Sequence, residues 1–157
     1  MMKNYQNQTG RSMIEMLGVL AIIGVLSVGG IVGYSKAMQK QKLNTTRNQI
    51  AHIVAGVKRY YLTQGSFAGL TTEVAKNAGI IPDEMATSGT GDQLTITNAY
   101  GGTIIVEVDP DNTGDNSVFG VAITGLPKEV AVDIGTGAWN DDGSLQEVEI
   151  KQETNNP

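Results

Sequence analysis

The stretch that decides the fold lies near the start of the chain, where residues 10–34 read GRSMIEMLGVLAIIGVLSVGGIVGY. Between residues 13 and 32, Glu15 carries the one charged side chain. A helix over this run, at about 1.5 Å per residue, spans a hydrocarbon core roughly 30 Å thick. A cleaved secretory signal would have a shorter apolar core and a small-residue cleavage site, and a buried helix of this length would need a larger domain. The run therefore predicts a transmembrane helix over residues 13–33.

Glu15 is the informative residue within this run. A carboxylate at mid-membrane costs about 2.5–3.5 kcal/mol on insertion scales, which makes it a functional candidate. Arg11, however, lies one helical turn earlier and would be able to pair with it in the same chain. On the residues alone, a role in assembly and a local ion pair are both open.

Charge divides the chain just beyond this helix. Residues 11–64 carry seven Lys and Arg against one acid, a net charge of +6, whereas residues 65–157 carry three Lys against fifteen acids, a net charge of −12. The positive-inside rule would hold the basic flank in the cytoplasm, which conflicts with an exported C-terminal half. The acidic half disfavours nucleic acid as a partner, because phosphate binding needs clustered Lys and Arg.

The residues that most often carry catalysis are scarce. The chain has no cysteine, which excludes thiol catalysis and Cys-based zinc sites. Its single histidine, His52, falls on a predicted helix with no nucleophile or second ligand nearby, so a surface or packing role is favoured. We therefore predict that the protein is not an enzyme.

The N-terminal stretch resembles the signature of type IV prepilins: a short basic leader ending in glycine, a glutamate five residues later, and an unbroken apolar helix. The resemblance implies that a prepilin peptidase removes residues 1–10 after Gly10 and methylates the new amino terminus on Arg11. It also implies that Glu15 neutralises the amino terminus of a neighbouring subunit in a filament. Such a pair would fix the register of packed subunits, because an unpaired charge in an apolar core is strongly unfavourable.

Two features depart from the family pattern. The first residue after the cut is commonly apolar, whereas Arg11 offers Glu15 a partner within the same chain. The apolar run also lacks the usual helix-kinking proline. We predict that the helix can bend or locally unwind at Gly29, Gly30 and Gly33, since each glycine destabilises a helix by about 1 kcal/mol.

The rest of the chain predicts a small α+β head on the end of this helix. Apolar residues at helical spacing from Leu43 to Tyr61 extend the helix to about Gln64 as an amphipathic half, and Gly65 ends it. Alternation and turn residues then predict short helices at 72–78 and 128–134, and strands at 93–97, 103–108, 118–123 and 145–150. The fold class is α+β, the type IV pilin fold: leader 1–10, helix 11–64, and head 65–157 with an antiparallel sheet on the helix. Residues 60–71 and 79–85 resemble the start of type IVb pilin heads, although the C-terminal cysteine pair of that branch is missing.

One acidic loop offers a candidate metal site. Asp109, Asp111 and Asp115 supply oxygen ligands with Gly114 at the sixth position, as in a calcium loop. Gly120 stands where such a loop has a bidentate Glu, and Asp, Asn and Gly are common in plain turns. Calcium and an empty turn are both open, and no other cofactor is expected.

These expectations converge on a structural subunit. The resemblance implies a single-pass inner-membrane protein, with its head outside the cytoplasm, that polymerises into an extracellular pilus filament. Its partners would be other copies of itself, the membrane, the prepilin peptidase and the inner-membrane assembly machinery. The alternatives are a pseudopilin of a type II secretion system, and a minor pilin or tip adhesin that does not polymerise.

Overall fold

The computed structural model describes residues 9–108, 114–137 and 148–150, with side chains from residue 12 onward. The chain divides into two units, an N-terminal unit of Met1–Gln41 and a C-terminal unit of Lys42–Pro157. In the described part, one long helix is followed by two short helices and a four-stranded antiparallel sheet. The predicted α+β fold is confirmed.

The long helix, α1, runs from Thr9 to Tyr61 over 53 residues. It ends three residues before the predicted Gln64, because residues 62–64 form a turn that leads to Gly65 at φ +72°. Helical structure is unbroken through Gly29, Gly30 and Gly33, so the local unwinding that we considered at these glycines is not present here.

The two short helices lie where turn residues predict them. Helix α2 covers Thr72–Asn77, and the Thr71 hydroxyl accepts a hydrogen bond from the Val74 amide at 3.2 Å as its N-terminal cap. Helix α3 covers Lys128–Gly135 and begins directly after Pro127. Pro127 is the N-cap of α3, with ψ 144°, and the N–H of an N-cap residue takes no part in the helical hydrogen bonds, so proline loses no donor there.

The sheet is an antiparallel meander in the order β1-β2-β3-β4. Its strands are β1 (Thr87–Ser88), β2 (Thr95–Thr97), β3 (Thr103–Val108) and β4 (Phe119–Ile123). The register places Ile96 opposite Ile104, and Ile104 opposite Ile123. Because side chains alternate along each strand, these three residues lie on one face of the sheet.

The hairpin turn between β2 and β3 is built around Asn98. Its side-chain oxygen accepts hydrogen bonds from the Tyr100 and Gly102 amides, and its amide group donates to the Thr124 carbonyl at 2.9 Å. A Cβ on Gly102 would lie 2.0 Å from that same carbonyl oxygen. Only glycine therefore lets the turn approach the end of β4 this closely.

The core of the C-terminal unit lies between the sheet and the end of α1. Ile53 and Val57 of α1 are completely buried, and so are Ile96 and Ile104 of the sheet. The buried cluster also includes Tyr61, Leu70, Ala75, Ile80, Ile81 and Val106. The amphipathic half of the predicted helix is thus an integral part of this core.

Helix α2 takes the place of a strand beside β3. Strand β2 begins only at Thr95, which leaves the Val106 backbone without a strand partner on that side. The buried Thr72 hydroxyl accepts from the Val106 amide at 2.9 Å and donates to the Val106 carbonyl at 3.4 Å. One side chain thereby satisfies two backbone groups that would be costly to bury unpaired.

Three local predictions differ from the structure. Strand β1 was not predicted, and residues 91–93 form a turn of 3₁₀ helix, so β2 begins at Thr95 rather than at Gln93. Residues 148–150 are irregular, so the final strand over 145–150 is wrong for this part. The rest of that strand, residues 145–147, lies outside the described residues.

Candidate assembly surface

The N-terminal unit exposes a continuous apolar surface around α1. Large side chains here are at least half exposed, from Met13 at 68% to Tyr34 at 70%. The set comprises Met13, Ile14, Met16, Leu17, Val19, Leu20, Ile22, Ile23, Val25, Leu26, Val28, Ile31, Val32 and Tyr34. Soluble monomers rarely expose apolar patches beyond a few hundred Å², so a surface of this kind marks contact with lipid or with other protein.

Within the described ranges, α1 is the helix that is long and apolar enough to cross a membrane. An 18-residue window near its N-terminal end has a mean hydropathy of 2.4, and none of that window is buried. Such a window fits the predicted transmembrane segment at 13–33 by both length and composition.

The predicted processing and register residues lie together at the start of this surface. Gly10 and Arg11 fall in the first turn of α1, and Glu15 follows one turn after Arg11 with its side chain exposed. A cut after Gly10 would make Arg11 the first residue of the helix. Glu15 would then lie within about 6 Å, along the axis, of a free amino group and the positive end of the helix dipole.

The C-terminal unit contains a polar link that the sequence analysis missed. Arg47 of α1 donates from Nη2 to the Asp133 carbonyl oxygen at 2.6 Å, and the same nitrogen lies 3.6 Å from Asp133 Oδ1. Asp133 is in the last turn of α3, where carbonyl groups lack helical partners. The arginine therefore caps the C-terminal end of α3. A single sequence carries no signal for a contact between residues 86 positions apart.

We expect Arg47→Gln to lower the free energy of unfolding of the full chain in detergent by about 1 kcal/mol, because it removes a half-exposed charged hydrogen bond. Urea unfolding followed by circular dichroism measures this. Arg59→Gln is the matched control, since Arg59 is exposed in the last turn of the same helix. Equal midpoints for the two variants would show that the capping contact contributes nothing.

Tyr100, at the tip of the β2–β3 hairpin, lies beside this link. Burial raises the pKa of Tyr100, and the negative charge of Asp133 raises it further. The Lys42 ammonium group lies 5.8 Å from the centre of the Tyr100 ring, at the outer limit of a cation–π contact. Tyr100 therefore stays neutral at physiological pH and presents its ring to a cation of α1.

The candidate calcium loop is only partly described. Asp109 and Asp111 lie outside the described residues, and Asp115 accepts a hydrogen bond from the Ser117 amide at 2.8 Å, as in an ordinary Asx turn. Among the residues that the structure describes, no three His, Cys, Asp or Glu side chains are grouped so as to hold a metal ion. Calcium binding by Asp109, Asp111 and Asp115 stays a prediction.

Comparison with known proteins gives two kinds of match. The family model described as PilS N terminal matches residues 40–156. Two curated relatives, each named the major structural subunit of bundle-forming pilus, come from Escherichia coli O127:H6 (strain E2348/69 / EPEC) and Escherichia coli O111:H-. Each is 27% identical over 135 residues, which cover 85% of this chain and 66% of the relative, so the chain spans just under two thirds of their length. No solved structure matches.

Proposed function

Since the chain belongs to the type IV pilin family, as the match of the PilS N-terminal model to most of this chain shows, we propose that it is a structural subunit of a pilus. Copies are held in the inner membrane by α1, with the head outside the cytoplasm, and polymerise through α1 into an extracellular filament. The two curated relatives to which the chain is similar are each named a major structural subunit of a pilus, and this similarity supports the function.

The observation that carries the proposal is the exposed apolar surface of residues 13–34. Covering one large apolar side chain is worth about 1.5–3 kcal/mol relative to water, so a row of them must meet lipid or protein. Lipid covers the row before assembly, and the same row of other copies covers it in the filament. The exchange of one apolar environment for another is close to neutral, so close packing and polar contacts decide which copies associate.

Glu15 supplies the polar contact in this scheme. Cleavage after Gly10 by the prepilin peptidase creates a positive amino terminus on Arg11, which is then methylated. The Glu15 carboxylate neutralises the amino terminus of a neighbouring copy as that copy enters the filament core. Both charges are costly in apolar surroundings unless paired, so this contact selects one register.

The test examines material sheared from cells that express the chain. We expect electron microscopy to show thin filaments, and mass spectrometry of their subunit to give a mature protein that begins at Arg11 with a methylated amino terminus. Gly10→Leu should leave the precursor uncut and abolish the filaments. Gly18→Leu is the matched control, since a Cβ at Gly18 meets nothing within 4 Å, and it should be cut normally.

The other outcomes separate the alternatives. A subunit that retains Met1 would overturn the processing step. Mature protein without surface filaments would favour a pseudopilin that builds a short periplasmic fibre. Mature protein found only at filament tips built from another subunit would favour a minor pilin or adhesin.

A further inference from the structure

Helix α1 continues beyond the predicted membrane span into a basic segment that has no acid of its own. Lys36 and Lys40 follow the span at residues 13–33, and both side chains are exposed. Between Glu15 and Glu73 the chain contains no Asp or Glu, so neither lysine has a carboxylate within reach along α1. Among the described residues, no carboxylate from elsewhere in the chain pairs with them either. Any anion that neutralises these two charges must come from outside the helix.

The two lysines form a pair on one face of α1. They are four residues apart, so their Cβ atoms are about 5–6 Å from each other and two like charges lie on the same side. Such a pair destabilises a helix when no anion lies near it. Lys42 does not belong to this pair, because two residues turn a helix by about 200°. Its ammonium group lies 5.8 Å from the centre of the Tyr100 ring instead.

The position of the pair along the helix matches the headgroup layer of a membrane. Measured from residue 33, Lys36 lies about 4.5 Å and Lys40 about 10 Å further along the axis. A bilayer of about 40–45 Å contains a hydrocarbon core of about 30 Å, so each headgroup layer is about 5–8 Å deep. The side chains of a helix lean toward its N-terminal end, here back toward the span, so the long Lys40 side chain also reaches this layer. Tyr34 is 70% exposed, and tyrosine is enriched at this depth.

We propose that Lys36 and Lys40 together bind the phosphate of an anionic phospholipid, in the leaflet at the C-terminal end of the span. A zwitterionic headgroup carries its own cation, which competes with the lysines, whereas an anionic headgroup offers an uncompensated charge. The occupant is a lipid rather than a free phosphate ion, because the span itself places the pair beside lipid headgroups. The site rests on the membrane insertion of α1, which is one part of the proposed function. It depends neither on polymerisation nor on the side of the membrane that holds the head.

The bound lipid bears on the step at which a copy leaves the membrane. In the proposed filament, α1 exchanges lipid for other copies, and for its apolar side chains this exchange is close to neutral. The two lysines oppose the exchange, because each must leave a phosphate. Near an anionic surface each lysine favours the anionic lipid about fivefold, the ratio that about 1 kcal/mol gives. A membrane rich in anionic lipid would therefore retain unassembled copies more firmly.

The test uses the full chain in vesicles of phosphatidylcholine and phosphatidylglycerol. The chain has no cysteine, so Ala37→Cys gives a single exposed thiol beside the pair for a bimane label. Bromine on the acyl chains near the headgroup, carried by one lipid or by the other, quenches the label when that lipid lies next to it. We expect the quenching to give at least about a fivefold preference for phosphatidylglycerol. The preference should fall at about 1 M salt, where the Debye length is about 3 Å.

Three double variants of the labelled chain make the result specific. Lys36→Gln with Lys40→Gln should bring the preference close to one. Lys36→Arg with Lys40→Arg keeps both charges and should retain the preference. Arg59→Gln with Lys128→Gln removes the same net charge from exposed positions of the C-terminal unit, and should leave the preference unchanged.

The remaining outcomes separate this site from the proposed function. Equal quenching by the two lipids, or a preference that persists in the double glutamine variant, would overturn the lipid site. Equal quenching together with weaker association of copies in that variant would assign the lysines to the acidic head of a second copy instead. A label that neither lipid quenches would overturn the insertion of residues 13–33, and the lipid site with it. A lipid preference in a chain that forms no filaments would support the site and count against polymerisation alone.

Discussion

Glu15→Gln should leave the chain inserted and cut after Gly10, but should lower the yield of filaments by about a hundredfold or more. The substitution keeps the size of the side chain and removes its charge. In the proposed filament, the amino terminus of the neighbouring copy would then be left unpaired in apolar surroundings, which costs about 3–5 kcal/mol. Quantitative immunoblotting of sheared filaments against the membrane fraction measures the ratio.

Two further variants make this result specific. Glu84→Gln removes an exposed acid of the head and should leave the yield unchanged. Arg11→Gln decides which positive group Glu15 meets. If the partner is the neighbouring amino terminus, Arg11→Gln alone assembles normally and the double variant with Glu15→Gln stays defective. If the partner is the Arg11 guanidinium of the same chain, removing both charges restores assembly.

Ile53→Ala should lower the free energy of unfolding of the C-terminal unit by about 2–5 kcal/mol, the usual cost of deleting most of a buried aliphatic side chain and leaving a cavity. Ile53 lies in α1 and is completely buried in the core of this unit. Urea unfolding of the full chain in detergent, followed by near-ultraviolet circular dichroism of the buried Tyr61, reports on this core.

The matched control is the same deletion on the same helix. Ile14 is 74% exposed in the N-terminal unit, so Ile14→Ala should leave the unfolding midpoint in place. Its effect should appear instead in filament yield, because in the proposed filament residues 13–34 supply the apolar surface between copies. A fall in the unfolding midpoint with Ile14→Ala as large as that with Ile53→Ala would contradict this division of roles along α1.

The sequence predicts best where a physical pattern is long. The apolar run over residues 13–32 and the helical spacing up to Tyr61 predict α1 nearly to its last residue, and turn residues predict α2. Strand β1 has only two residues, too few for alternation to be visible. The wrong assignment at residues 148–150 has a different cause, because alternation alone does not say whether a neighbouring strand is available.

The residues of the candidate site could likewise be predicted only in part. Glu15 is visible in the sequence because a lone carboxylate in an apolar run is costly. The contacts of Arg47 with Asp133 and of Thr72 with Val106 join residues that are 86 and 34 positions apart in the sequence. These residue types are common, and nothing in the sequence indicates which of them lie close together.

The continuity of α1 through both units has a mechanical consequence. In the proposed filament, a pulling force would reach each head through the backbone of this helix. The force then acts on the turns that carry Ile53, Val57 and Tyr61, which are buried in the core of the C-terminal unit. Because the load runs along the axis of a helix packed over several turns, those contacts must slip together rather than open one after another. In such a filament, resistance to traction would therefore be set by the same side chains that set the folding stability of the head.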